Sequence, residues 1–233
     1  MIPYVIINGV SSKNINGLLV QSLPPIKKPE MRREVEEIDG RDGDIITPLG
    51  FTAYDKTINI GLKGDYNVDD VIDFFNQDGY ITFSNELDKK YKFAQYASID
   101  FNRLLRFKTA NVTIHVQPFK YDANEIPQTF TTKAIRIRND GNIFSKPNYT
   151  FTGSGNVYLY LNGKNVLTMN LPASEEKVFI DVVEMEARNA DGDYLNRLMK
   201  GDYNDLVLKT GLNELNVVGE VSEVTIANYS RWI

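Results

Sequence analysis

A two-residue alternation of apolar and polar side chains constrains this chain more than any other feature of its sequence. In two segments, 56–64 and 107–116, apolar residues share one face at every second position: Ile58, Ile60, Leu62, Val112, Ile114 and Val116. This period is typical of half-buried β-strands. Similar patterns predict further strands at 80–83, 91–99, 130–138, 157–161, 164–171, 178–183, 206–208, 215–218 and 224–227.

A hairpin signal strengthens the β interpretation of the second half. Asn162-Gly163 separates two strand patterns, and both residues tolerate the positive φ that a type I′ turn needs. Several short strands with regular turns predict a sandwich or a jelly roll. Residues 195–199 fit either a helical turn or a strand, and the pattern does not decide between them.

The first half contains one clear helical pattern. Its apolar residues recur at i, i+3, i+4 and i+7, which is one helical face: Val68, Val71, Ile72 and Phe75. Asn67 suits the N-cap, and Asp69 and Asp70 suit the positive end of the helix dipole. Gly79 allows the chain to turn away after the helix.

A polar segment ending in Pro127, residues 122–128, has the composition of a linker. The predicted fold is therefore mainly β with two domains. Residues 1–126 form an N-terminal β domain with one helix, and residues 127–233 form an all-β domain. We expect Pro118 to stop the strand before it, because proline cannot donate to a ladder.

Composition narrows the possible functions. The chain has no cysteine and a net charge of −5, which argues against thiolate chemistry and against a basic nucleic-acid surface. The one basic cluster is followed directly by glutamates and is interpreted as a solvated or intersubunit face: Lys27, Lys28, Arg32 and Arg33. No apolar run reaches the roughly 18 residues of a membrane helix, and the first residues do not resemble a signal peptide.

No motif predicts catalytic, cofactor-binding or metal-binding residues. His115, the single histidine, lies in a strand pattern without a nucleophile motif and is assigned a structural role. The carboxylate-rich segments 42–44 and 191–193 lack the further ligands of an EF-hand and are interpreted as turns. Acidic pairs for glycoside hydrolysis depend on a separation that sequence does not give. Trp232, the only tryptophan, suits a core or interface anchor better than a sugar-stacking platform.

Three sets of residues together resemble one protein family. The first is the Gly-Arg-Asp-Gly turn within 38–45, and the second is the Pro-Phe-x-Tyr segment at 118–121. The third is a series of short strings through the second half, at 139–142, 145–147, 153–155, 211–213 and 231–232. In this order and spacing the strings resemble the distal tail (Dit) proteins of long, non-contractile phage tails.

The resemblance implies a structural role without a cofactor. It implies that the first domain assembles into a hexameric ring and that the second is a galectin-like β-sandwich projecting outward. The ring would be a hub in the virion, at the phage tail tip, made in the host cytoplasm. Its implied partners are the tail tube protein, tail-tip or tail-associated proteins and receptor-binding proteins of the same phage. Genome DNA would pass through without specific binding, and no membrane is implied.

Two other functions compete with the hub. One is a carbohydrate-binding module that adheres to the host cell wall, and the other is a wall hydrolase. The sugar-binding His-x-Asn-Pro-Arg pattern of galectins is absent, so we expect no binding of simple sugars. A free sugar-binding module would also not need the first domain.

The acidic turn supplies the candidate site residues: Asp39, Arg41, Asp42 and Asp44. Three roles remain open for them. They line part of the ring lumen, where acidic groups would not retain passing DNA, or they pack against a neighbouring subunit, or the turn is merely solvated.

Overall fold

The computed structural model describes residues 2–99, 101–172 and 174–233, apart from the side chains of 95–97, 101, 102 and 104. The fold is mainly β, as the alternation predicts. The chain forms two compact units: residues 2–123 with Ile233, and residues Asn124–Trp232. None of the helices within the described ranges is long and apolar enough to cross a membrane.

The first unit contains nine strands and two helices in its described residues. In chain order they are β1 (Val5–Ile7), β2 (Val10–Ser11), β3 (Leu18–Ser22), β4 (Met31–Glu36), β5 (Ile45–Phe51), β6 (Tyr54–Leu62), α1 (Val68–Phe75), β7 (Gly79–Phe83), β8 (Lys89–Ile99), α2 (Phe101–Phe107) and β9 (Thr109–Asp122). The main sheet has the order β2-β1-β7-β8-β9-β6-β3, and β4 and β5 form a separate two-stranded sheet.

The core of the first unit lies on the predicted face of its two central strands. Ile58 and Ile60 of β6 and Val112 and Ile114 of β9 are fully buried. These strands pair in antiparallel register, with Ile58 opposite Val112. The alternation at 56–64 and 107–116 therefore identified the core face correctly.

Helix α1 covers this core with one face. The side chain of Asn67 accepts a hydrogen bond from Asp69 N at 3.0 Å, which confirms the predicted N-cap. Phe74 is buried beside Phe75, whereas Ile72 is only partly buried. The predicted face is therefore correct at Val71 and Phe75, and Phe74 takes the buried place that was predicted for Ile72.

The prediction that Pro118 stops its strand is wrong. Strand β9 continues through Pro118 to Asp122. Its pairing with β6 ends at Val116, and its register with β8 shifts between Tyr91 and Phe93. Proline is tolerated at this irregularity because a bulged position need not donate to the ladder.

The second unit is built on two long strands. Its strands in chain order are β10 (Gln128–Phe130), β11 (Ala134–Asn139), β12 (Asn148–Leu161), β13 (Lys164–Asn170), β14 (Glu176–Asp181), β15 (Glu186–Arg188), β16 (Met199–Gly201), β17 (Gly211–Ala227) and β18 (Arg231–Trp232). Strand β17 lies beside β12, and β13 and β16 follow β12 in order. Strands β10 and β11 also pair with β17, and β14 pairs with β12 and with β15.

In the second unit, the sequence predicted the hairpin turn correctly, but it did not give the bounds of every strand. Asn162 and Gly163 have φ of 50° and 85° and connect β12 to β13, as the hairpin signal indicates. The separate strands predicted at 215–218 and 224–227 are parts of one strand, β17. Residues 206–208 form no strand, since Leu208 makes only an isolated bridge with Ser145. The ambiguous segment 195–199 contains a short 3₁₀ helix, Asn196–Leu198.

Candidate functional site

The β4–β5 hairpin is the least covered part of the first unit. All six residues of β4 are exposed, and within β5 only Ile45 and Phe51 are partly covered. The hairpin pairs only with itself, in a register that joins Met31 to Phe51 and Glu36 to Ile45. A two-stranded hairpin alone is at best marginally stable in water, so the hairpin contributes little stability of its own.

Apolar side chains on the hairpin are uncovered. Each exposes between 41% and 54% of its surface, and the set comprises Met31, Val35, Ile38, Ile46 and Leu49. Val35 and Ile46 are directly paired across the hairpin. Clustered apolar side chains with polar neighbours mark protein interaction sites, whereas single ones are ordinary.

The four candidate residues of the acidic turn lie together at the tip of this hairpin. Asp39, Arg41, Asp42 and Asp44 are all exposed. Gly40 and Gly43 have φ of 82° and 78°, a left-handed conformation that favours glycine. Within the described part of the chain, no salt bridge joins Arg41 to an aspartate of the turn. The tip therefore presents its charges outward.

The root of the hairpin, residues 23–30, is fixed to the body of the unit by main-chain carbonyls. Asn85 Nδ2 donates to Pro24 O at 3.1 Å, and Lys56 Nζ donates to Pro25 O at 3.2 Å. At its end, Thr52 N donates to Glu30 O at 2.9 Å. The Phe51 ring meets the Phe119 ring edge-on, with centroids 5.4 Å apart. The hairpin is thus anchored at one end and open at the other.

Lys56 is the root contact that sequence interpretation missed. Its side chain is 3% exposed and lies over the rings of Tyr91, Phe83 and Tyr54, with Nζ 4.6 to 5.6 Å from the ring centroids. Burial lowers the pKa of Lys56 to about 8, and the nearby Glu86 carboxylate opposes that shift. The signal was present, since Lys56 shares the period-two face of Ile58.

An ion pair lies beside this lysine. Lys120 Nζ donates to Glu86 Oε1 at 2.7 Å, and both side chains are almost covered. The hydroxyl of Tyr91 donates to the other Glu86 oxygen, and burial followed by this carboxylate raises the pKa of Tyr91. A buried carboxylate with two donors is well satisfied, which is the arrangement expected of a structural group.

Helix α2 was not predicted and carries a second uncovered patch. Leu105 is 52% exposed and Phe107 is 63% exposed. Arg103, Arg106 and Lys108 are exposed beside them. The helix lies between β8 and β9 in the chain, and Lys108 O accepts a hydrogen bond from Leu62 N at 2.8 Å just after it.

The residues considered for catalysis and metal binding have structural partners. His115 Nδ1 lies 2.7 Å from Asp55 Oδ1 on the exposed side of β9. The carboxylate-rich segment 191–193 is an Asx-type turn, in which Asn189 Oδ1 accepts from Asp191 N and Asp193 N. Trp232 lies in β18 and is partly buried. None of these groups is arranged around a nucleophile.

A shallow groove of about 220 Å³ on the second unit was considered as a ligand site. Its lining includes Asn148, Thr150, Phe179, Asp181, Glu186 and Arg188. Asp181 already accepts from Val183 N, Glu184 N and Asn148 Nδ2. Arg188 donates to Glu186 and to the hydroxyl of Tyr194. Most of the polar groups in the groove are therefore used within the unit.

Comparisons with known proteins give structural relatives only. A scan of protein-family models and a search of curated proteins found no match. The chain is similar to the crystal structure of phage SPP1 Dit (gp 19.1), described as a paradigm of the hub adsorption apparatus in phages infecting Gram-positive bacteria. That match has a TM-score of 0.63, 18% identity and 100% coverage of both chains.

Two further similar structures come from the phage p2 baseplate in its activated conformation. The structure with Ca has a TM-score of 0.54 and 8% identity, and covers 100% of this chain and 99% of the other. The structure with Sr has a TM-score of 0.52 and 10% identity, and covers 97% of each chain. At these identities the likeness establishes the fold, and the fold agrees with the family resemblance seen in the sequence.

Proposed function

We propose that this chain is a structural hub protein of a phage tail tip, with the first unit forming a ring that joins the tail tube to the adsorption apparatus. The single observation that carries the proposal is the uncovered β4–β5 hairpin. It exposes both faces and five apolar side chains, although the rest of the unit has a dense core. An element of this kind is stable when another chain covers it.

The proposed assembly is a homo-hexamer within the virion. The number of six copies is taken from the family resemblance in the sequence. The structural relatives support a place in a tail tip, because one is named as a hub of an adsorption apparatus and two come from a baseplate. The tail tube protein, tail-tip or tail-associated proteins and receptor-binding proteins of the same phage are the proposed partners. The second unit is proposed as a galectin-like β-sandwich that carries receptor-binding parts outward.

The proposed role is mechanical and not enzymatic. The only histidine pairs with Asp55 on an exposed strand face, and the chain has no cysteine. A net charge of −5 suits a ring through which genome DNA passes without specific binding.

The mass of the purified particle tests this proposal. Light scattering at micromolar concentration should give about six times the chain mass of 26.5 kDa, and electron micrographs should show rings. Antibodies against the protein should label one end of the phage tail. A protein that is monomeric at all concentrations and is absent from the tail would overturn the proposal.

A further inference from the structure

We infer that the β4–β5 hairpin of one copy docks on helix α2 and the adjoining Lys108 of a second copy, so that these two surfaces form the contact between neighbours. The inference rests on the proposed ring and specifies which surfaces build it. The hairpin surface consists of residues 31–51, and the acceptor surface consists of Arg103 and residues 105–108.

Both surfaces are apolar and uncovered within their own unit. On the hairpin, Val35 and Ile46 each expose 54% of their surface. On the acceptor, Leu105 exposes 52% and Phe107 exposes 63%. A residue as large as Phe107 contributes strongly to an interface when a partner buries it, and phenylalanine is enriched in interface cores.

Charge complementarity identifies the occupant as a second copy of this chain. The hairpin surface, residues 31–51, contains six acidic residues and three arginines: Glu34, Glu36, Glu37, Asp39, Asp42, Asp44, Arg32, Arg33 and Arg41. Residues 101–108 contain three cations, Arg103, Arg106 and Lys108, and no acidic residue. Opposite charges around an apolar centre steer association and fix its orientation. The hairpin surface and the acceptor surface thus match each other in their exposed apolar side chains and in their opposite charges.

The two surfaces are different parts of one unit, which determines the kind of assembly. A contact between unlike patches is heterologous, and it produces a closed ring when the rotation between neighbours closes. A stable interface uses roughly 20–30 residues from each partner. The hairpin surface, with 21 residues, reaches that number on its side.

Cross-linking tests the contact directly, because the chain has no cysteine of its own. One preparation carries Asp42→Cys and another carries Leu105→Cys, and a short bis-maleimide is added to each alone and to their mixture. We expect a covalent dimer in the mixture and little in either preparation alone. A dimer that forms equally in the Asp42→Cys preparation, or none in the mixture, would overturn the inference.

Charge reversal supplies an independent test. Asp39→Lys, Asp42→Lys and Asp44→Lys together should raise the concentration needed for assembly by about tenfold or more, since like charges then oppose each other. Arg103→Glu with Arg106→Glu should do the same. Mixing the two reversed proteins should restore assembly between them. Failure of the mixture to associate, with both proteins folded, counts against α2 as the acceptor.

A matched control changes the same charge elsewhere on the first unit. Asp65, Asp73 and Asp78 are exposed and lie outside both surfaces. Their replacement by lysine should leave assembly within about threefold of the unaltered chain, because exposed charges far from an interface act only weakly through salt. An equal loss of assembly in this control would assign the effect to net charge and overturn the inference.

Different results would exclude the proposed ring and the proposed contact between its copies. If the unaltered chain forms no ring and is absent from the tail, the proposed function fails, and the inference fails with it. If the unaltered chain forms rings that survive every reversal and give no cross-link, only the inference fails. A ring structure with the hairpin tip in the central hole would also overturn it and favour the lumen role of Asp39, Asp42 and Asp44.

Discussion

Val35 and Ile46 face each other across the β4–β5 hairpin, and each leaves 54% of its surface uncovered. The two residues are opposite each other in the register, and about half of each side chain is open to solvent. Its apolar surface therefore contributes little to the stability of one chain and is available to another.

Replacing this pair should separate folding from assembly. Val35→Ser with Ile46→Ser should change the free energy of unfolding by only about 0.5 kcal/mol, as is usual for exposed positions. Assembly should weaken markedly, since the contact loses apolar area. Urea unfolding and light scattering measure the two quantities.

Two comparisons complete that experiment. Leu212→Ser with Val218→Ser changes a similarly exposed pair in the second unit and should leave assembly intact. Ile60→Ala removes a fully buried side chain and should cost about 2–5 kcal/mol of stability. Undiminished assembly of the hairpin double variant would contradict a role for this pair in the contact.

Lys56 should make stability depend on pH. Its folded pKa is lowered to about 8 from 10.5, so the unfolded chain binds more protons between these values. The contribution of this group to stability therefore rises with pH across that interval. Between pH 8 and 10 the free energy of unfolding of the unaltered chain should rise relative to Lys56→Met by about 2 kcal/mol.

The comparison with Lys56→Met is needed because nearby groups also titrate. Glu86, Lys120 and Lys27 face this lysine, and burial raises the pKa of Tyr54 to about 12. A raised tyrosine pKa lowers stability above pH 10 in both proteins, so it cancels in the difference. A difference for Lys56→Met that stays flat from pH 8 to 10 would contradict the lowered pKa.

Glu86 should matter far more to stability than its neighbour Asp88. Glu86→Gln leaves the covered ammonium of Lys120 without its carboxylate and should cost roughly 3 kcal/mol. Asp88→Asn breaks a pair in which the carboxylate is 69% exposed and should cost less than about 1 kcal/mol. Urea unfolding of both variants at pH 7 measures the contrast, and equal costs would argue against a buried ion pair.

We expect the linker, residues 122–128, to be the interior segment most sensitive to proteases. Loss of its hydrogen bonds should increase that sensitivity. Glu125 accepts hydrogen bonds from Tyr229 N at 3.1 Å and Ser230 N at 2.9 Å, so the linker is tied to the end of the second unit. Limited proteolysis should yield a stable fragment beginning between about 122 and 132. Glu125→Ala should speed that cleavage. Early cleavage within 150–220 would show that the boundary between domains 1–126 and 127–233 was misplaced.

Local patterns predicted much of this fold. Period-two alternation identified β6 and β9 and their buried face, and the Asn162-Gly163 turn was correct. These features depend on residues adjacent in sequence. The carboxylate-rich segment 42–44, interpreted as a turn, lies between β4 and β5. Its exposure on an uncovered hairpin is a tertiary property, which no local pattern in 31–51 indicates.

The missed elements depend on tertiary context. Helix α2 has only seven residues, which is shorter than the window over which a helical period can be distinguished from alternation. Pro118 continues a strand because the partner strand is irregular there, which is a property of the pair and not of the residue. Lys56 was overlooked because a lysine on a core face is uncommon, although its phase placed it there.

The anchored root of the hairpin sets the angle between neighbouring copies in the proposed ring. Residues 23–30 fix the direction of the β4–β5 hairpin within a single chain, through hydrogen bonds with Lys56, Asn85 and Thr52. A hairpin whose direction is already fixed loses little conformational entropy when it binds a second copy. The same fixed direction sets the orientation of that copy relative to the first. The turning angle per copy, and with it the number of copies that closes a circle, is then a property of these few root residues. Lengthening or loosening this short segment would alter the stoichiometry of the assembly without altering either of its contact surfaces.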